Sequence, residues 1–128
     1  MLVQICGAVF SFIVAIVISF QIALALGMPW GSYTMGGKFP GKLPVFMRFI
    51  CLLQIGILGG FAALVMSQSG LIPGAEAPSV FSKWIWAAVA FSTVAVILNL
   101  ITPSVQERRI WAPVSGVLLI TSLVVAVL

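Results

Sequence analysis

The chain has 128 residues, of which 62% are hydrophobic and 6% are charged. Globular domains are about 45–50% apolar and about 25% charged, so this chain lacks the polar side chains to cover a surface in water. Six basic and two acidic residues give a formal charge of +4. This composition excludes a soluble enzyme, a secreted globular domain and a disordered chain, and it leaves an integral membrane protein.

Four apolar stretches follow one another, each near the ~20 residues a membrane helix needs. The first spans about 3–28 and has no charged side chain. Ala23 and Ala25 imitate a signal-peptide cleavage site, but no Lys or Arg precedes the core and the core is long, so it reads as a retained helix. Glycines and prolines then break regular structure at Gly27, Pro29, Gly31, Gly36, Gly37, Pro40, Gly41 and Pro44. The second stretch, about 45–68, carries only Arg48. Gly70, Pro73, Gly74 and Pro78 break the chain again. The third stretch covers about 84–102 and the fourth about 110–128. Between these two, Ser104 and Glu107 have capping-box spacing, with Thr102 a competing N-cap. A short interfacial turn is expected to carry Glu107, Arg108 and Arg109, with Pro113 in the first turn of the last span.

In hydrocarbon the backbone must satisfy its own hydrogen bonds, which allows helices or a closed barrel. A barrel needs many short alternating strands, and the long apolar runs do not supply them. The expected fold is all-α: a single polytopic membrane domain built as an antiparallel four-helix transmembrane bundle. The first and third loops hold Lys38, Lys42, Arg48, Arg108 and Arg109, against Lys83 alone beside Glu76 on the other side. Basic loops stay in the cytoplasm. The expectation is therefore a multi-pass protein of the bacterial cytoplasmic membrane with both termini outside. Trp30, Tyr33, Trp84, Trp86 and Trp111 lie near the span ends, as an aromatic belt requires.

Small residues recur every fourth position in the first span, at Gly7, Ser11, Ala15, Ser19, Ala23 and Gly27. Such spacing permits close helix approach, and Gly56 and Gly60 offer a matching face on the second span. The row is expected to form a packing seam within the bundle or between subunits. Gln21, Gln54, Asn99 and Ser115 fall at similar depths and predict a polar layer in the cytoplasmic half. Interhelical hydrogen bonding alone accounts for such a layer; a hydrophilic pocket is the functional alternative. Cys6 and Cys51 fall near opposite ends of neighbouring spans, too far apart for a disulfide.

His and Asp are absent, and Glu76 and Glu107 lie on opposite sides of the membrane. Paired carboxylates, a Ser-His-Asp triad and histidine metal ligation are excluded. No catalytic residue, metal or cofactor is expected. The first loop joins Trp30, Tyr33, Lys38, Lys42 and Arg48, and Arg108, Arg109 and Trp111 lie opposite. Turn N–H groups with Arg and Lys suit phosphate or a lipid headgroup. The bland alternative is an interfacial loop with topology-setting charges. No glycine-rich phosphate loop is present, and five basic residues on a lipid surface do not indicate nucleic-acid binding.

Pro29-Trp30-Gly31, Gly36-Gly37, Leu43-Pro44, Arg48, Asn99, Ser104, Glu107-Arg108 and Trp111-Ala112-Pro113 together resemble small, uncharacterised four-span membrane proteins of bacteria. The resemblance extends over nearly the whole chain. It implies no reaction and no cofactor, and it favours the first and third loops forming one composite feature. The chain differs from small multidrug exporters, which use a glutamate in the first span. It also lacks the glycine-asparagine pattern of small fluoride channels. The leading expectation is an accessory or structural membrane protein that binds lipid or a membrane partner at its cytoplasmic face. The alternative is a small oligomeric transporter or channel. An enzyme acting on lipids, which would have to use Glu107, Tyr33, Lys or Arg at the inner interface, is the weakest reading. Expected partners are membrane lipids and a homo-oligomer or membrane protein, not nucleic acid.

Overall fold

The computed structural model describes residues 2–34, 39, 41–70 and 83–127, the side chains of Ser32 and Gln106 excepted. Lys38, Glu76, Gly36, Gly37, Pro40, Pro73, Gly74 and Pro78 lie outside the described residues. Among the described residues the chain folds into four α-helices: α1 (Leu2–Ala25), α2 (Val45–Ser69), α3 (Ile85–Ile101) and α4 (Val105–Val127), with a 3₁₀ turn at Gly31–Tyr33. At a rise of about 1.5 Å per residue, α1 is about 36 Å long and α3 about 26 Å. Leu2–Ala25, Val45–Ser69 and Glu107–Val127 are long and apolar enough to cross a membrane, whereas α3 has 17 residues. The architecture is an all-α four-helix bundle of membrane type.

Local chemistry sets the helix ends. α1 closes in a Schellman motif: Gly27 N–H donates to Leu24 O at 3.1 Å and Met28 N–H to Ala23 O at 3.0 Å. Gly27 takes the positive φ of +101° that this motif requires. Gly70, with φ +71°, ends α2 in the left-handed region. Pro103 disfavours helical backbone at the residue before it, and Thr102 is extended at φ −60°, ψ 140°.

α4 begins earlier than the apolar pattern suggests. Ser104 Oγ accepts the Glu107 N–H at 3.2 Å, and Ser104 O accepts the Arg108 N–H at 3.1 Å, the pattern of an N-cap residue. Ser104 is therefore the cap, and Thr102 is not. Thr102 Oγ1 instead accepts the Ser104 N–H at 3.2 Å. The expected separate interfacial turn is simply the first turn of α4. Pro113 consequently sits inside this helix, not in its first turn, and it cannot donate to the Arg109 carbonyl.

α1 packs along α2, and α3 along α4. Contact between α1 and α4 joins the two hairpins, while α2 barely touches α3. The neighbours run antiparallel, with Gly7 meeting Ser69 at one end and Gly27 meeting Arg48 at the other. The main core fills the half nearer the termini, with Phe10 and Val14 of α1, Leu58 and Val65 of α2, Ala88 of α3 and Leu118 and Val125 of α4. A smaller cluster of Leu24, Leu43 and Cys51 secures the loop between α1 and α2. Cys6 belongs to the first cluster, Cys51 to the second, and both are free and buried. Phe12, Phe46, Phe49, Leu53 and Ile120 face outward, all more than 60% exposed. That surface matches a hydrocarbon solvent rather than water.

The row of small residues does not form one continuous seam within the chain. A Cβ on Gly7 would stand 2.6 Å from Ser69 Cβ, so here α1 and α2 approach closely. Ala15 and Ser19 are exposed. A four-residue step turns about 40° around a helix of about 100° per residue, which carries the row away from α2. Gly56 and Gly60 are also exposed, and a Cβ on either would meet nothing within 4 Å. They do not supply the facing side of the seam.

Candidate functional site

A cavity of about 570 Å³ lies between the four helices in the half nearer the loops at 26–44 and 102–104. Gln21 of α1, Gln54 of α2, and Asn99 of α3 line it together with Ser115 of α4. These are the four residues whose depths in the sequence place them in one layer. Val17, Leu58, Val94, Leu98, Val114 and Leu118 supply apolar wall. Among the most exposed lining residues are Val94, Leu98 and Ile101 of α3, each more than half exposed. They lie where α2 and α3 scarcely touch, so the cavity opens sideways between those helices.

Asn99 ties α3 to α4. Its Nδ2 donates to Trp111 O at 3.3 Å and to Ser115 Oγ at 3.2 Å. Ser115 Oγ lies 2.7 Å from Trp111 O and 3.1 Å from Ala112 O, so the hydroxyl donates back into its own helix. An Asn amide has two donor hydrogens and one acceptor oxygen. Trp111 O and Ser115 Oγ lie 2.7 Å apart, so a single Nδ2 hydrogen faces both. Gln21 is 8% exposed, and its Oε1 is buried with no hydrogen-bond partner. Such a group carries a desolvation cost of about 1–3 kcal/mol.

The sequence pattern misses Glu107 as a cavity residue. The early start of α4 brings this carboxylate into the first helical turn, buried at 9% exposure, and into the cavity wall. Thr102 Oγ1 donates to Glu107 Oε2 at 3.2 Å. A negative side chain in a first helical turn is favoured by the helix dipole. Ser-x-x-Glu spacing is the signal that could have located it. Among the described residues, Glu107 is the only charged side chain that lines the cavity.

The eight loop candidates divide. Trp111 Nε1 donates to Tyr33 O at 2.8 Å, which fastens the 3₁₀ turn to α4. Phe20 stacks on Trp30 at 5.9 Å and meets Trp111 at 4.7 Å in a tilted arrangement. Thus Trp30 and Trp111 meet on Phe20, Tyr33 is held through its carbonyl, and the first loop is joined to the start of α4. The basic residues do not join them. Arg48 Nε donates to Leu43 O at 3.0 Å, and its guanidinium lies beside Gly27. Lys42, Arg108 and Arg109 are exposed, and none of these four lines the cavity. Lys38 lies outside the described residues. No group of three His, Cys, Asp or Glu side chains that could hold a metal occurs among the described residues. Chemically, the described residues make the site a largely apolar chamber with neutral polar groups and one carboxylate on its walls. No family model, no curated protein and no solved structure matches the chain.

Proposed function

We propose that the chain is a four-span protein of a bacterial cytoplasmic membrane that holds an amphipathic molecule, a lipid or a lipid-like compound, in this cavity. It acts as a non-enzymatic accessory module, with both termini outside. The observation that carries this reading is the sideways opening of a 570 Å³ chamber between α2 and α3. Ligand pockets are about 300–1,000 Å³, mainly apolar, with a few placed polar groups. A molecule already dissolved in the bilayer reaches such a chamber without crossing water. The topology rests on the five basic residues Lys38, Lys42, Arg48, Arg108 and Arg109, against Lys83 on the other side.

Native mass spectrometry of the protein, released from membranes in mild detergent, tests the reading. A bound amphiphile is expected on the wild type and is expected to disappear from the double variant Gln54→Leu, Asn99→Leu. A wild-type protein that carries nothing, or a double variant that keeps its passenger, overturns it. A second reading, a small transporter, draws on the contrast between the open loop half and the packed core of the terminal half. It requires solute flux in proteoliposomes, and that flux must be lost in the same double variant.

A further inference from the structure

We infer that the occupant is a lipid with a single hydrocarbon chain, drawn from the leaflet on the loop side and held with its chain end toward the terminal core. This inference rests on the cavity being a binding site and adds what fits it. The chamber has a floor. Val17, Leu58, Phe91 and Leu118, one residue from each helix, are its lining residues farthest from the loops. Leu58 and Leu118 belong to the main core, and Val17 and Phe91 pack against it. Phe91 also meets Phe61 of α2 at 5.3 Å. The gap between α2 and α3 is thus bridged at floor level, and the sideways mouth at Val94, Leu98 and Ile101 lies on the loop side of it. Thr34, Thr102 and Glu107 stand at the other end, with Thr102 bonded to Glu107. Between rim and floor the wall is mainly apolar.

Depth and volume then select the occupant. Leu118 follows Glu107 by eleven residues, about 16 Å along α4. Half of a hydrocarbon core of about 30 Å is about 15 Å, so the chamber is as deep as one leaflet. Glu107 is also the first residue of the part of α4 that is long and apolar enough to cross a membrane, which puts the rim at the membrane surface. A cavity of about 150 Å³ takes one benzene ring. On that scale a cavity of about 570 Å³ takes roughly twenty carbons. That is one membrane-length chain with its first polar group, and it is short of two chains. A two-chain phospholipid would leave its second chain outside, against the exposed face of α3.

The test places the full chain in phosphatidylcholine nanodiscs doped with palmitoyl lysophosphatidylcholine, which has the same headgroup and one chain. Native mass spectrometry of the protein ejected from the discs counts what stays bound. One lysolipid per protein is expected, enriched at least tenfold over its mole fraction in the disc. Displacement by palmitate alone assigns the site to free fatty acids; displacement by monopalmitoyl glycerol as well extends it to single-chain lipids in general. Leu118→Phe raises the floor, and Leu118→Ala lowers it. The ratio of palmitoyl to lauroyl lysolipid bound is expected to fall at least threefold in the first and to rise at least threefold in the second. Leu118 is buried, and should Leu118→Phe not fold, Leu118→Ala alone reads the shift. Phosphatidylcholine retained as readily as the lysolipid, or an unchanged chain-length ratio in folded Leu118→Ala protein, overturns the single-chain inference. If phosphatidylcholine is retained but lost from the Gln54→Leu, Asn99→Leu variant, the cavity remains a binding site and only the chain count falls. If the protein leaves the discs with neither lipid, both readings fall.

Discussion

Replacing Gly7 by alanine adds one methyl group where α1 and α2 come closest. Its carbon would stand 2.6 Å from Ser69 Cβ, and nearer still to Ser69 Oγ. Carbon atoms pack best at about 3.5–4.0 Å, so the helices must separate by about 1 Å at this level. Overpacking of this kind costs about 1–3 kcal/mol, and alanine's better helix propensity offsets up to about 1 kcal/mol. A net loss of about 1–2 kcal/mol shifts the unfolding equilibrium by a factor of about 5–30. The assay is unfolding by sodium dodecyl sulfate in mixed micelles, followed by tryptophan fluorescence. Ser69→Gly removes the opposing atoms at the last residue of α2, where glycine is tolerated better than in a helix interior. The double variant Gly7→Ala, Ser69→Gly should recover stability, with a coupling energy of about 1 kcal/mol or more. If Gly7→Ala unfolds like the wild type, or the cycle shows no coupling, the close approach at Gly7 is refuted.

Three further outcomes are expected. Trp111→Phe removes the 2.8 Å bond to Tyr33 O, a loss of about 0.5–1.5 kcal/mol; trypsin should then cleave after Lys42 severalfold faster, and an unchanged rate would show that this bond does not hold the loop. Ser104→Ala removes the cap on Glu107 N–H and should destabilise by about 1 kcal/mol, with Ser104→Asp close to wild type; equal melting temperatures for all three proteins would contradict the capping role. Because Cys6 and Cys51 are buried, single cysteines placed at Lys42 and Ala126 should dominate labelling by an impermeant maleimide. The two sites should label from opposite faces of the membrane, and labelling from one face would contradict the bundle's antiparallel order.

The polar layer was legible because depth in a membrane helix is a count along the sequence at about 1.5 Å per residue. Gln21, Gln54, Asn99 and Ser115 lie at matching counts, and all four line the cavity. Which face of a helix meets a neighbour is not a count. Gly56 and Gly60 therefore looked like the face opposite the small-residue row, yet they meet nothing within 4 Å and it is Ser69 that meets Gly7. The start of α4 was obscured by charge. Glu107, Arg108 and Arg109 suggest a loop when hydropathy alone is considered, while the Ser104 cap draws them into the helix. Placing Glu107 in a loop concealed the one acidic group on the cavity wall. The meeting of Trp30 and Trp111 on Phe20, with Tyr33 tied to Trp111 through its carbonyl, was half legible. Their boundary positions could be seen, but the choice of aromatic over basic neighbours depends on contacts distant in the chain.

Pro113 divides α4 into two mechanical segments. Without an N–H to offer the Arg109 carbonyl, the helix loses a restraining bond at that level, and its bending stiffness has a local minimum there. The short lever before the proline carries Glu107 and Trp111; the long arm after it begins with Val114 and Ser115 and is anchored in the terminal core through Leu118 and Val125. A force applied at the cavity mouth would therefore bend α4 most readily near Pro113, between the segment that carries Glu107 and the arm held in the terminal core.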